Sequence, residues 1–578
     1  MSGDESLPSR DPLPVLILTD NPYFNKIGLV LYDYFTHFKT TVNNEFKQYE
    51  IWQVMLITVA LTLMSEAILN FLIQEEPLLS RLKKGLFKAA RASPIIGTII
   101  KEKVDKTKAE MANDGPWVLP EGHTYLTRLP EKGLSDKDLM VVIDKYNSLN
   151  DVEWQKGRCS GTIYCAEEDK NEMLSEVYKK YCWSNPLHVD CFKDVRKMEA
   201  EVVTMVGKMF HHPGQASGSV TSGGTESILM SMKTHRDWAR EVKGIDKPNI
   251  VVANSGHPAF DKAAAYFKIH IIAVPVDPVT FAVNPRDVAA AINSNTICIV
   301  GSVPQYPHGI MDDIVALGDI AVRHDVGLHV DACLGGFLIP FMEDAGFPLP
   351  LFDFRVPGVT AISIDTHKYG YTYKGSSVVL YRNVELFYHQ ITCTTEWPGG
   401  IYASPTMAGS RPGANIAVTW AAMMSFGRDG YVSATREVIR GARYLIAGLE
   451  KIEGVEVMGN PVVSCVGWTS KVFNIYNMSS DLTKKGWNLA VLQFPAGIHI
   501  ALTRRHMSPG VIDELLSDIR ESAAVQMLNP GAAASGAAAM YGMAAQIPDR
   551  SIVGDISREF WKLYYSTGQT ELENGDLK

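Results

Sequence analysis

The sequence predicts an α/β protein built on a mostly parallel sheet, and three observations carry that prediction. Five short apolar runs, at 249–254, 269–274, 296–302, 327–331 and 359–365, recur with segments between them that are able to form helices, which is the spacing of βαβ winding. Three of these runs end in reactive side chains: His257 follows the first, Asp331 closes the fourth and Lys368 follows the fifth. Parallel strands present their carboxyl ends on one edge, so these residues can converge although they lie far apart in the chain. Third, Ser222-Gly223-Gly224-Thr225 opens a helical pattern over 228–240, and glycines and hydroxyls at a helix start leave N–H groups free as an anion cradle.

At 578 residues and 46% apolar composition the chain can bury a large core and exceeds one ordinary domain. A net charge of -9 gives no support for general nucleic-acid binding, which leaves a small molecule, a lipid or a protein as partner. The 8 cysteines are scattered and contain no C-x-x-C pair, so they read as reduced thiols, and no metal site is expected.

Taken in order, residues 1–50 lack a basic, early apolar signal segment. Residues 51–73 form an apolar stretch close to the roughly 20 residues that cross a bilayer as a helix, with Gln53, Glu66 and Asn70 as blemishes. Arg81, Lys83, Lys84, Lys88 and Arg91 follow, then Lys101, Lys103, Lys106 and Lys108. Basic flanks stay cytoplasmic, so the expectation is a single span, residues 1–50 lumenal and the large remainder in the cytosol. A basic linker over 74–120 and an aromatic, turn-rich segment over 121–190 come next. Residues 192–210 alternate apolar and charged positions at helical spacing and predict an amphipathic helix. The strand-bearing domain is expected over 191–410, a smaller C-terminal α+β domain over 411–530, and a flexible alanine- and glycine-rich tail over 531–578.

The anion cradle, the imidazole of His257, the carboxylate of Asp331 and the amine of Lys368 together match what pyridoxal phosphate asks of a protein. It needs a phosphate site, a face for its ring, an acid beside the pyridine nitrogen and an amine for its aldehyde. A desolvated lysine is a nucleophile toward carbonyls. Each residue also has a plainer reading: a surface lysine, a satisfied loop histidine, a strand-end cap, an ordinary capped helix. The site vanishes only if all four plain readings hold together.

The same residues carry a resemblance. SGGTES at 222–227, HVDACLGGF at 329–337 and DTHKYG at 365–370 resemble the pyridoxal-phosphate enzymes of the aspartate-aminotransferase fold (fold type I), in the group II decarboxylase branch. WSNPLH at 183–188, KGSS at 374–377 and the block from Trp397 through Arg411 narrow the likeness to the sphingosine-1-phosphate lyase family. The resemblance implies that Lys368 joins the cofactor aldehyde, His257 stacks on the ring and Asp331 pairs with its nitrogen. Ser222, Gly223, Gly224 and Thr225, with His367 and Asn185, would surround the cofactor. Tyr164, His188 and Lys374 would hold the substrate's phosphate, and Tyr402 would sit near the scissile bond. It implies a homodimer with shared sites, the Ser410-Arg411 loop serving the partner, and an endoplasmic reticulum membrane location. The implied reaction is retro-aldol C2–C3 cleavage of sphingosine 1-phosphate or its dihydro form, through an external aldimine, to a long-chain aldehyde and phosphoethanolamine. Tyr402 and Lys368 are alternatives for the base. An amino-acid decarboxylase on the same fold and a membrane-tethered scaffold with a vestigial site are the rival readings.

Overall fold

In the computed structural model of the protein the five apolar runs are strands within a residue of their predicted bounds. They are β2 (Asn249–Ala253), β3 (His270–Val274), β4 (Thr296–Ser302), β5 (Gly327–Asp331) and β6 (Val359–Ile364), joined in one sheet by β1 (Ser217–Thr221) and β7 (Ser377–Tyr381). The described residues are 49–72, 78–113, 115–150, 152–165, 167–532 and 550–567, with scattered positions between 36 and 47, and the side chains at 66–84 lie outside the description. The expected lumenal segment and flexible tail therefore fall largely outside it; within the latter, Arg550–Tyr564 is a helix.

The sheet order is β1-β7-β6-β5-β4-β2-β3. β3, β2, β4, β5 and β6 pair in parallel, and β7 runs antiparallel to both β6 and β1, so six of the seven strands share one direction. Continuous Val/Ile runs suit a sheet covered on both faces. On one face Val195, Val202 and Val206 of α2 (Lys193–Met209) join Val251, Ile299, Val330 and Ile362. On the other, Ile228, Leu229 and Met232 of α3 (Gly224–Lys243) meet Ile250, Val252, Ile297 and Val300. Alternation along β2 thus feeds both cores, each fully buried side chain contributing about 1.5–3 kcal/mol. The chain then forms a short exposed hairpin, β8 (Thr392–Thr394) and β9 (Tyr402–Ser404). The long helix α4 (Gly413–Leu449), which breaks at Gly427 where φ is 59°, follows it. A four-stranded antiparallel sheet, β10 (Glu456–Val457), β11 (Cys465–Thr469), β12 (Ala490–Leu492) and β13 (Gly497–Ala501), completes the α+β part.

The chain divides into two compact units, residues 1–100 and 101–578. The first contains α1 (Ile51–Leu72) and the helix Leu78–Ala92. The expected membrane span is not met: no helix among the described residues is long and apolar enough to cross a membrane. α1 is a helix at the predicted place, and the remainder of the expected span, residues 66–73, lies outside the described side chains. Those side chains face outward, Ile51 at 82% and Met55 and Leu56 at 65% exposure.

Candidate active site

The site is organised by the loop between β6 and β7. β6 is apolar to Ile364 and then turns polar, and its Asp365, 2% exposed, meets Lys368 one helical turn on, with Lys368 Nζ 3.0 Å from Asp365 Oδ2. His367 Nε2 lies 3.5 Å from the same oxygen. Burial alone would raise the Asp365 carboxyl, but the Lys368 ammonium and His367 hold it below the usual carboxylate range. Burial acts the other way on Lys368, and there the Asp365 carboxylate prevails and holds the ammonium well above the ordinary lysine value. The loop is closed at its base: His367 N–H donates to the Ser376 carbonyl at 3.2 Å, Ser376 N–H donates to His367 Nδ1 at 3.2 Å, and Thr366 Oγ1 donates to Ser376 Oγ at 2.6 Å.

The cradle lies against this loop. The first intrahelical bond of α3 runs from Ser227 N to the Gly223 carbonyl, so the N–H groups of Gly224, Thr225 and Glu226 precede any helix partner. Gly223 has φ 152°, a conformation that only glycine adopts readily, and a Cβ there would stand 3.2 Å from His367 Cε1. A Cβ on Gly224 would stand 2.7 Å from Asp365 Oδ1 and 2.8 Å from Cys333 Sγ. The glycines are thus required by the close approach of the lysine loop, which sequence spacing did not reveal.

Asp331 closes β5, one strand over, and is paired in register with Ser363 of β6. Its Oδ1 accepts from Cys333 N at 3.0 Å and from Ser363 Oγ at 3.3 Å. His257 follows β2 at the same sheet edge, and its Nδ1 accepts from Ala259 N at 3.1 Å, fixing the ring at the start of the next helix.

Of the three residues expected around a substrate phosphate, two meet. Lys374 Nζ stands 4.6 Å above the ring of Tyr164, which in turn packs edge-on against Tyr369 at 4.8 Å. Burial and the neighbouring Lys368 bring the Lys374 ammonium down to about 8, and burial pushes the Tyr164 hydroxyl up to about 12. His188 is exposed, and among the described residues no hydrogen bond, ion pair or ring contact joins its side chain to that pair. Asn185 holds the segment after β9: its Nδ2 donates to Ser410 Oγ at 3.0 Å and its Oδ1 accepts from Arg411 N at 3.2 Å. Arg411, expected to serve a partner's site, is engaged within its own chain, bidentate to Glu199 at 2.7 and 3.0 Å. Tyr402 is half-buried on β9, and a Cβ on Gly409 would reach within 2.6 Å of its hydroxyl oxygen. Glu226, singled out by no earlier reasoning, spans the two regions: one oxygen accepts from Ser222 N at 2.6 Å and the other from Met407 N at 2.9 Å. Its position four residues into a capping sequence is the signal that identifies it.

These residues fit a phosphate-bearing aldehyde cofactor. Backbone donors ahead of a helix suit the phosphate, a half-buried lysine suits the aldehyde, and Asp331 offers an acid at the edge. Asp365 Oδ1 is buried without a hydrogen-bond partner among the described residues. No group of three or more histidine, cysteine or acidic side chains among the described residues is arranged to hold a metal ion.

Comparison with known proteins places the chain. Residues 153–471 match the family model of the pyridoxal-dependent decarboxylase conserved domain. The sphingosine-1-phosphate lyase of Drosophila melanogaster is 45% identical over 91% of this chain and 97% of its own length, and sphingosine-1-phosphate lyase 1 of Mus musculus is 45% identical over 93% and 94%. Among solved structures, the sphingosine-1-phosphate lyase of Burkholderia pseudomallei K96243 superposes with a TM-score of 0.71 at 35% identity, covering 76% of this chain and 98% of that one. The glutamate decarboxylase of Lactobacillus brevis shares the fold, with a TM-score of 0.61 at 22% identity over 71% of this chain and 97% of that one.

Proposed function

This chain belongs to the sphingosine-1-phosphate lyase family, within the pyridoxal-dependent decarboxylases, and from that premise we propose how its residues divide the work of cleaving sphingosine 1-phosphate between C2 and C3. Bound pyridoxal phosphate supplies an aldehyde that captures amines and a ring that accepts electrons from the bond being broken. The backbone N–H groups of Gly224 and Thr225, with Ser222, Gly223 and His367, would hold the cofactor phosphate; Asp331 would pair with the ring nitrogen, and His257 would stack on the ring. Lys368 offers its amine to the aldehyde and takes back a proton once displaced. Lys374 and Tyr164, joined by His188, bind the phosphate of the substrate and so keep its amine beside Lys368. Asn185 holds the segment that carries Tyr402, and Tyr402, acting through its phenolate oxygen, would take the proton leaving the substrate's 3-hydroxyl oxygen, with the neutral amine of the freed Lys368 as the alternative carrier. The products are phosphoethanolamine and a long-chain aldehyde.

The observation that carries this reading is the Lys368–Asp365 pair at 3.0 Å, with Asp365 buried and Lys368 half-buried, set against the glycine cradle at the edge where β5 ends in Asp331. Exposed apolar side chains beside Tyr402, among them Trp397 at 57%, Ile401 at 79% and Trp183 at 91%, support a homodimer in which a second copy covers this face. The exposed apolar side chains of α1, followed by Lys88 and Arg91, support attachment of that end to the endoplasmic reticulum membrane with the catalytic part on the cytosolic side. The test is to supply phosphorylated sphingoid base to the cofactor-loaded protein and trap aldehyde. Aldehyde and phosphoethanolamine in equal amounts are expected. Carbon dioxide from an amino acid, with no aldehyde, would instead support the decarboxylase reading, and neither product would support the scaffold.

A further inference from the structure

A chain of buried polar side chains runs behind Asp331. Ser363 Oγ donates to Asp331 Oδ1 at 3.3 Å, His329 Nε2 lies 3.0 Å from Ser363 Oγ, and His329 Nδ1 lies 2.8 Å from Ser231 Oγ on α3. One turn along α3, His235 sets its Nδ1 2.8 Å from the Ser231 carbonyl oxygen and its Nε2 2.9 Å from Thr360 Oγ1. Ser231, His329 and Ser363 are 0% exposed and His235 1%, so no solvent completes their hydrogen bonds.

The ends of the chain fix where its protons sit. A carbonyl oxygen only accepts, so His235 donates through Nδ1 to Ser231. A carboxylate also only accepts, so the Ser363 hydroxyl proton points at Asp331 and the Ser363 oxygen must accept from His329 Nε2–H. Burial, with His235 nearby, brings His329 down to about 3, so the ring is neutral and its Nδ1 accepts from the Ser231 hydroxyl. Three donations in series therefore run from Ser231 through His329 and Ser363 to Asp331 Oδ1. That oxygen also takes the Cys333 N–H, whereas Oδ2 takes no hydrogen bond among the described residues.

We propose that Ser231, His329 and Ser363 form a positioning relay for the cofactor. By saturating Oδ1 with donors, the relay orients the Asp331 carboxylate so that Oδ2 alone, an acceptor, faces the protonated ring nitrogen of pyridoxal phosphate. This rests on the reading that Asp331 pairs with that nitrogen. A series of aligned hydrogen bonds polarises its members in the same sense, so loss of any donor weakens the acid at the far end. The residues touch neither substrate nor cofactor and act through Asp331.

The test compares the full-length protein's affinity for pyridoxal 5′-phosphate and for its 1-deaza analogue, whose ring has carbon in place of the nitrogen. Ser363→Ala and His329→Leu are expected to weaken the natural cofactor about 10-fold, the lower end of what loss of an outer orienting partner costs at a bound centre, while changing the analogue less than about 2-fold. Ser363→Thr and His329→Gln, which keep a donor, are expected to restore the difference. With 15N-labelled cofactor, the ring-nitrogen resonance of the Ser363→Ala holoenzyme should move toward the unprotonated position. Equal weakening of both ligands, or of neither, would overturn the relay and leave these residues as core packing. If Asp331→Asn itself treats the two ligands alike, the assignment of Asp331 to the ring nitrogen fails first, and the relay falls with it. Should His329→Leu not fold, the Ser363 pair carries the same comparison.

Discussion

Replacing Asp365 by Asn keeps the shape of the side chain and removes its charge, which isolates what the acid does for Lys368. The two groups sit 3.0 Å apart, with the carboxylate 2% exposed. At an effective dielectric near 20 that separation corresponds to about 5–6 kcal/mol of attraction, and stranding one member of a buried pair costs about 3–5 kcal/mol. The expected loss for the cofactor-free variant at pH 7 is therefore about 3–5 kcal/mol, measured by urea unfolding against the wild type. The sign of the pH dependence separates this cause from simple misfit. In the wild type Lys368 is held above its unfolded value, so its contribution is fully present below that value and is lost only as pH rises beyond the ordinary lysine range toward the raised one. In the variant, burial stands unopposed and lowers the lysine, so the unfolded state binds the extra proton and the variant regains stability as pH rises from 8 toward 10. A gap below about 1 kcal/mol at pH 7, or one of the same size at pH 7 and pH 10, would refute the reasoning.

Three other outcomes are expected. For Lys374, brought down to about 8, kcat/KM for the phosphorylated substrate should fall as pH rises through 8, because the charge that attracts the phosphate is then lost. Lys374→Met should raise KM about 10- to 100-fold and flatten that limb, and an unchanged profile would separate Lys374 from phosphate binding. Tyr402→Phe should retain the cofactor's visible absorbance and lose about 100-fold or more in turnover; full activity would remove Tyr402 from proton transfer. Gly224→Ala places a methyl 2.7 Å from Asp365 Oδ1, so cofactor titration should show lost affinity together with a destabilisation of about 1–3 kcal/mol. Normal binding by that variant would show that the cradle has slack.

Legibility followed burial pattern. The parallel strands were readable because they are buried on both faces and so are written as unbroken apolar runs. β1 was not, because Ser217-Gly-Ser-Val-Thr looks like a loop until its partners are known: Ser219 Oγ accepts from Gln390 Nε2 at 2.8 Å, and Thr221 Oγ1 lies 2.7 Å from Ser227 Oγ. The reactive residues at strand ends were legible for a related reason, since a polar group closing an apolar run stands out. What sits beside those residues did not stand out. Ser363 meets Asp331 only through the register of β5 and β6, and His329 points into the sheet from a strand whose alternation is masked by burial on both sides. The Ser410-Arg411 loop was given to a partner's site by the family resemblance; the pairing of Arg411 with Glu199 could not be read from the sequence because the two lie 212 residues apart. The span at 51–73 was read from its length, its hydropathy and the basic residues that follow it, and its residues 66–73 lie outside the described side chains.

The reversal of β7 also bears on how this protein can change over evolutionary time. Because the chain returns antiparallel beside β6, the segment carrying Lys368 and Lys374 is stapled at its base by the paired bonds between His367 and Ser376. A residue inserted between the two lysines must break that staple or swing one amine away from its place. Substitutions can drift through this loop, but its length cannot, and a lineage that alters the reach between the two amines has to rebuild the strand pairing first.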